Sequence, residues 1–127
     1  MTSKPTCEDR IDSELEVSLS DIKTLWELYQ KDPEKYDEGL GNFADYGLCF
    51  DYVEPGTFEG QQCGYWRYQL SWGGPSDEFR LYGGGQIEYR FHDWGDGAGR
   101  YLKGSDLEFM QEIFDWYLEC QEDRHGF

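Results

Sequence analysis

Positive charge is scarce in this chain. Its 127 residues include 27 Asp and Glu against 11 Lys and Arg, a formal net charge of −16. No basic patch can form that would grip DNA, RNA or an anionic membrane, so direct binding to either is not expected. Long apolar runs are also missing. The mean hydropathy is −0.84, and nothing approaches the roughly 20 apolar residues of a membrane span. Histidine and methionine each occur only twice. The four cysteines, Cys7, Cys49, Cys63 and Cys120, form no CxxC pair, and their wide spacing does not suit zinc. The N-terminal MTSKPTCEDRIDSE lacks an apolar h-region, Thr2 stands where a myristoylated glycine would, and the terminal RHGF is no prenylation box. The expectation is a cytoplasmic protein with reduced thiols. Cys49, in an apolar strand, and Cys120, on an apolar helix face, are expected to pack as small hydrophobes. No G-x-S-x-G, HExxH or P-loop lysine pattern is present, so an enzyme is not expected, nor any cofactor.

Aromatic residues are what the chain has in quantity. Eight Phe, ten Tyr and five Trp make up 18% of it. Each ring buries about 150–250 Å², so a folded core is expected despite the charge, and the length suits one domain. Residues 1–17 are polar and acidic and read as a flexible arm, with a single domain over 18–127. Ser20-Asp21-Ile22 reads as a helix start, followed by Leu25, Trp26 and Tyr29 at helical spacing. Asp32-Pro33 reads as the cap and first position of a second short helix, closed by Gly39 and Gly41.

The period changes from 3.6 to 2 near residue 47. Strands are predicted around Leu48–Val53, Tyr65–Trp72, Glu78–Tyr82 and Ile87–His92, with a possible fifth at Arg100–Lys103 after an Asp93–Gly99 loop. Short turns between them predict an antiparallel meander. If the strands pair in order, Tyr65, Arg67, Gln69, Arg80, Tyr82, Arg90, His92 and Trp94 share one face, either as an interface or covered by a terminal helix, its arginines paired with Glu78 and Glu88. Ser105 is expected to cap a last helix reaching about Glu122, with Leu107, Met110, Phe114, Tyr117 and Leu118 as its apolar stripe. The fold class is α+β: a four- to five-stranded antiparallel meander sheet with N-terminal helices and a C-terminal helix packed on one face. His92, Asp93 and Asp96 faintly suggest a metal site, but a Gly/Asp turn explains them better and no metal is expected.

The charge is unevenly spread. Residues 1–59 carry 15 acidic and 5 basic side chains, residues 60–103 five of each, and residues 104–127 seven and one. In the last helix Glu108, Glu112, Asp115, Glu119 and Glu122 follow at steps of 4, 3, 4 and 3, which keeps them on one face. The row is roughly 21 Å long at about 1.5 Å per residue. No Lys or Arg sits at i±3 or i±4 to offset the like-charge cost. Two readings stand: an ordinary solvated helix face, or a row that imitates a phosphate backbone and docks in a basic groove. Asp12, Glu14 and Glu16 add acid near the N-terminus and would strengthen long-range steering to a cationic partner.

The run Gly64-Tyr65-Trp66-Arg67-Tyr68-Gln69-Leu70-Ser71-Trp72-Gly73-Gly74-Pro75-Ser76-Asp77-Glu78-Phe79-Arg80, with Ile87-Glu88-Tyr89, Asp93-Trp94 and Asp96-Gly97-Ala98 after it, resembles small acidic proteins of bacterial mobile elements. Such proteins often travel with anti-restriction and anti-CRISPR genes. The likeness spans roughly residues 45–120 and identifies no functional residue. It implies a phage or plasmid context and the cytoplasm of a host bacterial cell. The expected function is non-catalytic inhibition of a bacterial defence complex by an acidic DNA mimic. The expected partner is a basic nucleic-acid-binding protein or complex, a CRISPR effector or a restriction enzyme. The alternative is an immunity protein that covers a basic nuclease toxin. The partner-binding candidates are Glu108, Glu112, Asp115, Glu119 and Glu122, then Asp12, Glu14 and Glu16.

Overall fold

A computed structural model describes residues 5–124, with side chains described up to residue 121. The elements run α1 (Cys7–Lys31), α2 (Phe43–Tyr46), β1 (Cys49–Val53), β2 (Tyr65–Ser71), β3 (Ser76–Leu81), β4 (Ile87–Asp93), β5 (Asp96–Tyr101) and α3 (Gly104–Arg124). The strands form one antiparallel sheet in the order β1-β2-β3-β4-β5. The architecture is the α+β meander that the alternation of residues predicts, with α1 and α3 on the same face.

Four local expectations change. Where an acidic arm was expected over residues 1–17, Cys7 onward is the first three turns of α1, and residues 1–4 lie outside the described ones. The helix starts there because Thr6 and Asp9 form a reciprocal cap. Asp9 N–H donates to Thr6 Oγ1 at 3.2 Å, and Thr6 N–H donates to Asp9 Oδ2 at 3.0 Å. Glu8 and Asp9 suit the positive helix end. Cys7, Ile11, Ser18, Ile22 and Leu25 then carry a buried stripe that passes straight through Ser20. Asp32-Pro33 starts no second helix: Asp32 is the C-cap of α1, and its side chain accepts from Glu34 N–H in a tight turn. Asn42 instead caps the single turn of α2 and ties Pro33 and Lys35 carbonyls through its amide. The expected 93–99 loop is mostly strand, because β4 and β5 join through two residues, Trp94 and Gly95. The last helix opens at Gly104 rather than on a Ser105 cap.

The register sorts the sheet residues. Phe50, Tyr68, Phe79, Tyr89 and Arg100 fall in one cross-strand row, and Trp66, Leu81 and Ile87 in the next. This face meets the helices. Phe50 stacks on Tyr117 of α3 at 4.8 Å between ring centres, and Tyr68 lies 4.9 Å from the same ring. The two helices touch each other through rings. Trp116 meets Trp26 edge-on at 6.0 Å and Tyr29 at 5.4 Å, with Phe43 of α2 beneath all three at 4.9–5.4 Å. Geometry of that kind adds to simple area burial. One close approach constrains the backbone. A Cβ on Gly47 would stand 2.2 Å from Tyr68 Cε1, so the entry to β1 tolerates only glycine.

The cysteine expectation is corrected. Cys49 and Cys120 are exposed, and the buried one is Cys7, against the β4–β5 hairpin. Cys49 belongs to a short edge strand and points to the face without helices.

Three tyrosine hydroxyls donate to carboxylates: Tyr46 to Asp21 at 3.2 Å, Tyr82 to Glu88 at 2.7 Å and Tyr89 to Asp77 at 2.6 Å. Burial and the adjacent carboxylate push each phenol up, Tyr82 to about 12 and Tyr46 and Tyr89 further. A phenol whose pKa rises on folding contributes stability below the unfolded value near 10 and loses it as pH climbs. The urea midpoint should therefore fall above about pH 10, and Tyr82→Phe should make that fall shallower. Phe43→Ala should cost about 3–5 kcal/mol in urea unfolding at neutral pH, since Phe43 is wholly buried. A loss below about 1 kcal/mol would contradict the packing described.

Candidate interaction surface

The sheet needs its arginines. On the face away from the helices, Arg67 holds Asp51 with two parallel bonds, Nε to Oδ1 at 2.9 Å and Nη2 to Oδ2 at 2.7 Å. Arg80 binds Glu78 at 2.8 Å, and Arg90 binds Glu88 at 3.4 Å. Glu78 and Glu88 are buried, so each would be stranded without its cation. The expected pairing of these arginines with Glu78 and Glu88 is present, while no helix covers this face. Arg100 reaches Glu8 and Asp12 of α1 at 2.6 and 3.0 Å, and Arg10 binds Asp93 at 2.6 Å. Lys23 joins Asp106, linking α1 to α3 at 2.9 Å. Every arginine with a described side chain thus has a carboxylate inside the fold.

The predicted acidic row is what remains. Glu108, Glu112, Asp115 and Glu119 are exposed on α3, and none takes part in an ion pair among the described residues. The opposite side of the helix buries Met110, Ile113 and Phe114, which turns the four carboxylates outward together. Glu122 continues the helix, but its side chain lies outside the described residues. The α1 candidates divide. Asp12 is bound to Arg100, Glu14 is half-buried, and Glu16 is exposed. Glu16 lines an open groove of about 490 Å³ beside α1, with Asp12, Glu27, Asp106 and Lys23.

His92, Asp93 and Asp96 do not converge on a common point. Asp93 Oδ2 is held by Arg10. Asp96 Oδ2 accepts from the Cys7 N–H at 2.8 Å, and Oδ1 from its neighbour Gly97 N–H. Those N–H bonds hold the Asp96 carboxyl below its ordinary range. The His92 ring packs against Gly97, where a Cβ would stand 2.7 Å from Nδ1. Burial and the nearby Arg90 and Arg80 push its pKa down. No group of three or more metal-ligating side chains occurs among the described residues, and no described helix is long and apolar enough to cross a membrane.

Two large exposed side chains stand out at one end of the sheet. Trp72 follows β2 at 77% exposure, and Trp94 joins β4 to β5 at 85%. Trp94 lies in the turn rather than on the strand face with Tyr65 and Arg67. The Gly73-Gly74-Pro75 and Asp93-Trp94-Gly95 sequences mark both positions as turns. Only the pairing order brings the two turns to the same end. A cavity of about 730 Å³ opens on the uncovered face between the 54–64 loop and Trp72.

Substituting the unpaired row should leave the fold intact. Glu112→Gln with Glu119→Gln is expected to raise the thermal midpoint slightly, by relief of repulsion worth about 0.2–0.5 kcal/mol per pair. The gain should shrink in high salt. A loss of stability in a melting series would mean that these carboxylates are bound inside the protein. Comparison with family models, curated proteins and solved structures finds no match to this chain.

Proposed function

We propose that this protein is a non-catalytic inhibitor that presents α3 as an imitation of a nucleic-acid backbone to a basic groove. The observation that carries this reading is the row Glu108, Glu112, Asp115 and Glu119, exposed and without an ion pair among the described residues, in a fold whose described arginines are all engaged elsewhere. Exposed carboxylates on successive turns of one helix lie about 5–6 Å apart. Phosphates along one DNA strand recur on a comparable scale, about every 3.4 Å of axis. A cleft lined with Lys and Arg that accepts one can accept the other. The net charge of −16 extends the field and favours fast encounter at low salt.

The resemblance to mobile-element proteins suggests the owner of that groove: a bacterial defence complex, a CRISPR effector or restriction enzyme whose DNA channel the protein would fill. A basic nuclease toxin offers the same chemistry, and the protein would then be its immunity partner. Host cytoplasm is the compartment both readings require.

The test is a pull-down from bacterial lysate at low and high salt, with the captured complex identified and its DNA binding assayed. A nucleic-acid-binding complex released by salt, and blocked from DNA by this protein, supports the proposal. Changing Glu112, Asp115 and Glu119 together to Lys should preserve the circular dichroism spectrum and abolish the block. Full inhibition by that variant would falsify the proposal. Capture of a nuclease toxin transfers the same surface to immunity.

A further inference from the structure

The sheet face without helices carries a feature that the acidic row does not explain. Two exposed aromatic side chains, Phe58 at 50% and Trp72 at 77%, border one cavity of about 730 Å³. A cavity of that size takes a small ligand. Phe58 comes from the loop that enters β2, and Trp72 is the residue after that strand. The cavity therefore runs along β2, roughly 20 Å at about 3.3 Å per residue. The Phe58 loop is a fixed wall, held from inside by Gln61. Its amide nitrogen donates to the Glu54 and Cys63 carbonyls at 2.9 and 2.8 Å, and its Oε1 accepts from Phe58 N–H at 3.0 Å. Apolar rings kept at the rim of a preformed cavity are candidates for contact with a ligand.

The floor decides which ligand. Arg67 and Arg80 face each other across β2 and β3, and both are still reachable, with side chains 18% and 20% exposed. Arg67 binds Asp51 through Nε and Nη2, and Arg80 binds Glu78 through Nε, so each guanidinium has donors outside its ion pair. Arg80 also lies over the Tyr65 ring at 4.5 Å, which fixes its position. Ser76 and His92, both half-buried, add to the lining. Burial and the nearby Arg90 and Arg80 push the His92 pKa down, so the imidazole adds no charge at neutral pH. The lining thus sets Glu59 and Glu78 against Arg67 and Arg80, two of each sign. An apolar ligand would strip water from these pairs and return no hydrogen bond. A cation would meet two guanidinium groups. An anion would meet two carboxylates and the field of a chain at −16. A neutral ligand rich in hydroxyls incurs none of these costs.

We propose that the cavity along β2 binds a neutral oligosaccharide, with Trp72 and Phe58 packing on the apolar faces of its rings and Arg67, Arg80, Ser76 and His92 bonding its hydroxyls. Each hydroxyl both donates and accepts, which suits a floor that offers donors beside acceptors with no net charge. A sugar ring presents a C–H face to an aromatic side chain and keeps its hydroxyl edge free for the floor. An open cavity also suits a ligand that stays partly hydrated. A nucleotide offers a flat ring too, but its phosphate is repelled by the chain's field. The cavity lies on the opposite side of the sheet from α3, and the inference does not depend on the reading of α3 given above.

The experiment screens the full chain against an array of neutral and acidic oligosaccharides, then titrates the strongest neutral binder while following indole and arginine Nε–H resonances. The Trp72 indole and the Nε–H groups of Arg67 and Arg80 should shift together. Affinity should change less than about twofold between low and high salt, because no net charge is matched. Trp72→Ala and Phe58→Ala should each weaken binding about fivefold or more and leave the thermal midpoint in place, since both rings are exposed. Loss of binding without loss of stability separates a binding role from a structural one. No neutral binder at millimolar concentration, a preference for sulfated or uronic-acid sugars, or full affinity in either variant would overturn the inference. Changing Glu112, Asp115 and Glu119 to Lys should leave sugar binding intact, so this inference and the phosphate mimicry of α3 fail separately.

Discussion

Carboxylates that burial would strand, and the few cations able to rescue them, constrain everything else in this fold. Glu78 and Glu88 sit inside the sheet, and Arg80 and Arg90 sit two residues from each on the same strand and face. The spacing follows from the pleat: residues i and i+2 point the same way. Arg67 reaches across to Asp51 on the edge strand by register. Breaking any such pair would leave a charge in a low-dielectric setting, which costs more than the intact pair contributes. The arginines therefore cannot leave the sheet. The helices hold most of the acid, and α3 has seven acidic residues against a single arginine.

The same constraint shapes how α1 docks. Its first turns carry Glu8, Asp9, Asp12 and Glu14, a composition unsuited to burial. They are drawn onto β4 and β5 by two arginines, Arg100 from the sheet and Arg10 from the helix itself. Asp96 completes the junction by accepting the Cys7 N–H, one of the donors that every helix start leaves open. Polar contacts fix this end, whereas rings fix the other. Trp26, Tyr29, Phe43 and Trp116 fill the gap between helices, so wide side chains set the helix separation. Phe50, Tyr68 and Tyr117 then tie α3 to the sheet.

The meander was legible because its strands alternate cleanly and its turns carry glycine and proline. The start of α1 was not. Cys7, Ile11, Ser18, Ile22 and Leu25 hold a helical stripe, but their acidic neighbours lower local hydropathy enough to read as an arm. The Thr6–Asp9 cap was a usable signal that charge density obscured. Pro33 misled in the opposite direction: a proline after Asp favours a helix start, yet Asp32 was already ending one. Of the candidate surface, the outward row on α3 followed from spacing alone. That Asp12 is held by Arg100, 88 residues away in sequence, could come only from the folded chain. The Trp94 turn was hidden because indole is a poor type I′ residue, and the expected loop was longer.

The acidic row on α3 carries a local cost. Its successive carboxylates repel one another, with no ion pair to offset them among the described residues. Mutation ordinarily removes such a cost easily, since Gln at these positions would serve the fold better. The row is exposed along its described length. A line of charge alone discriminates poorly, because any basic surface screens it and salt weakens it. Under the proposed reading the row therefore steers the encounter, and selection among basic surfaces has to come from short-ranged contacts that depend on shape.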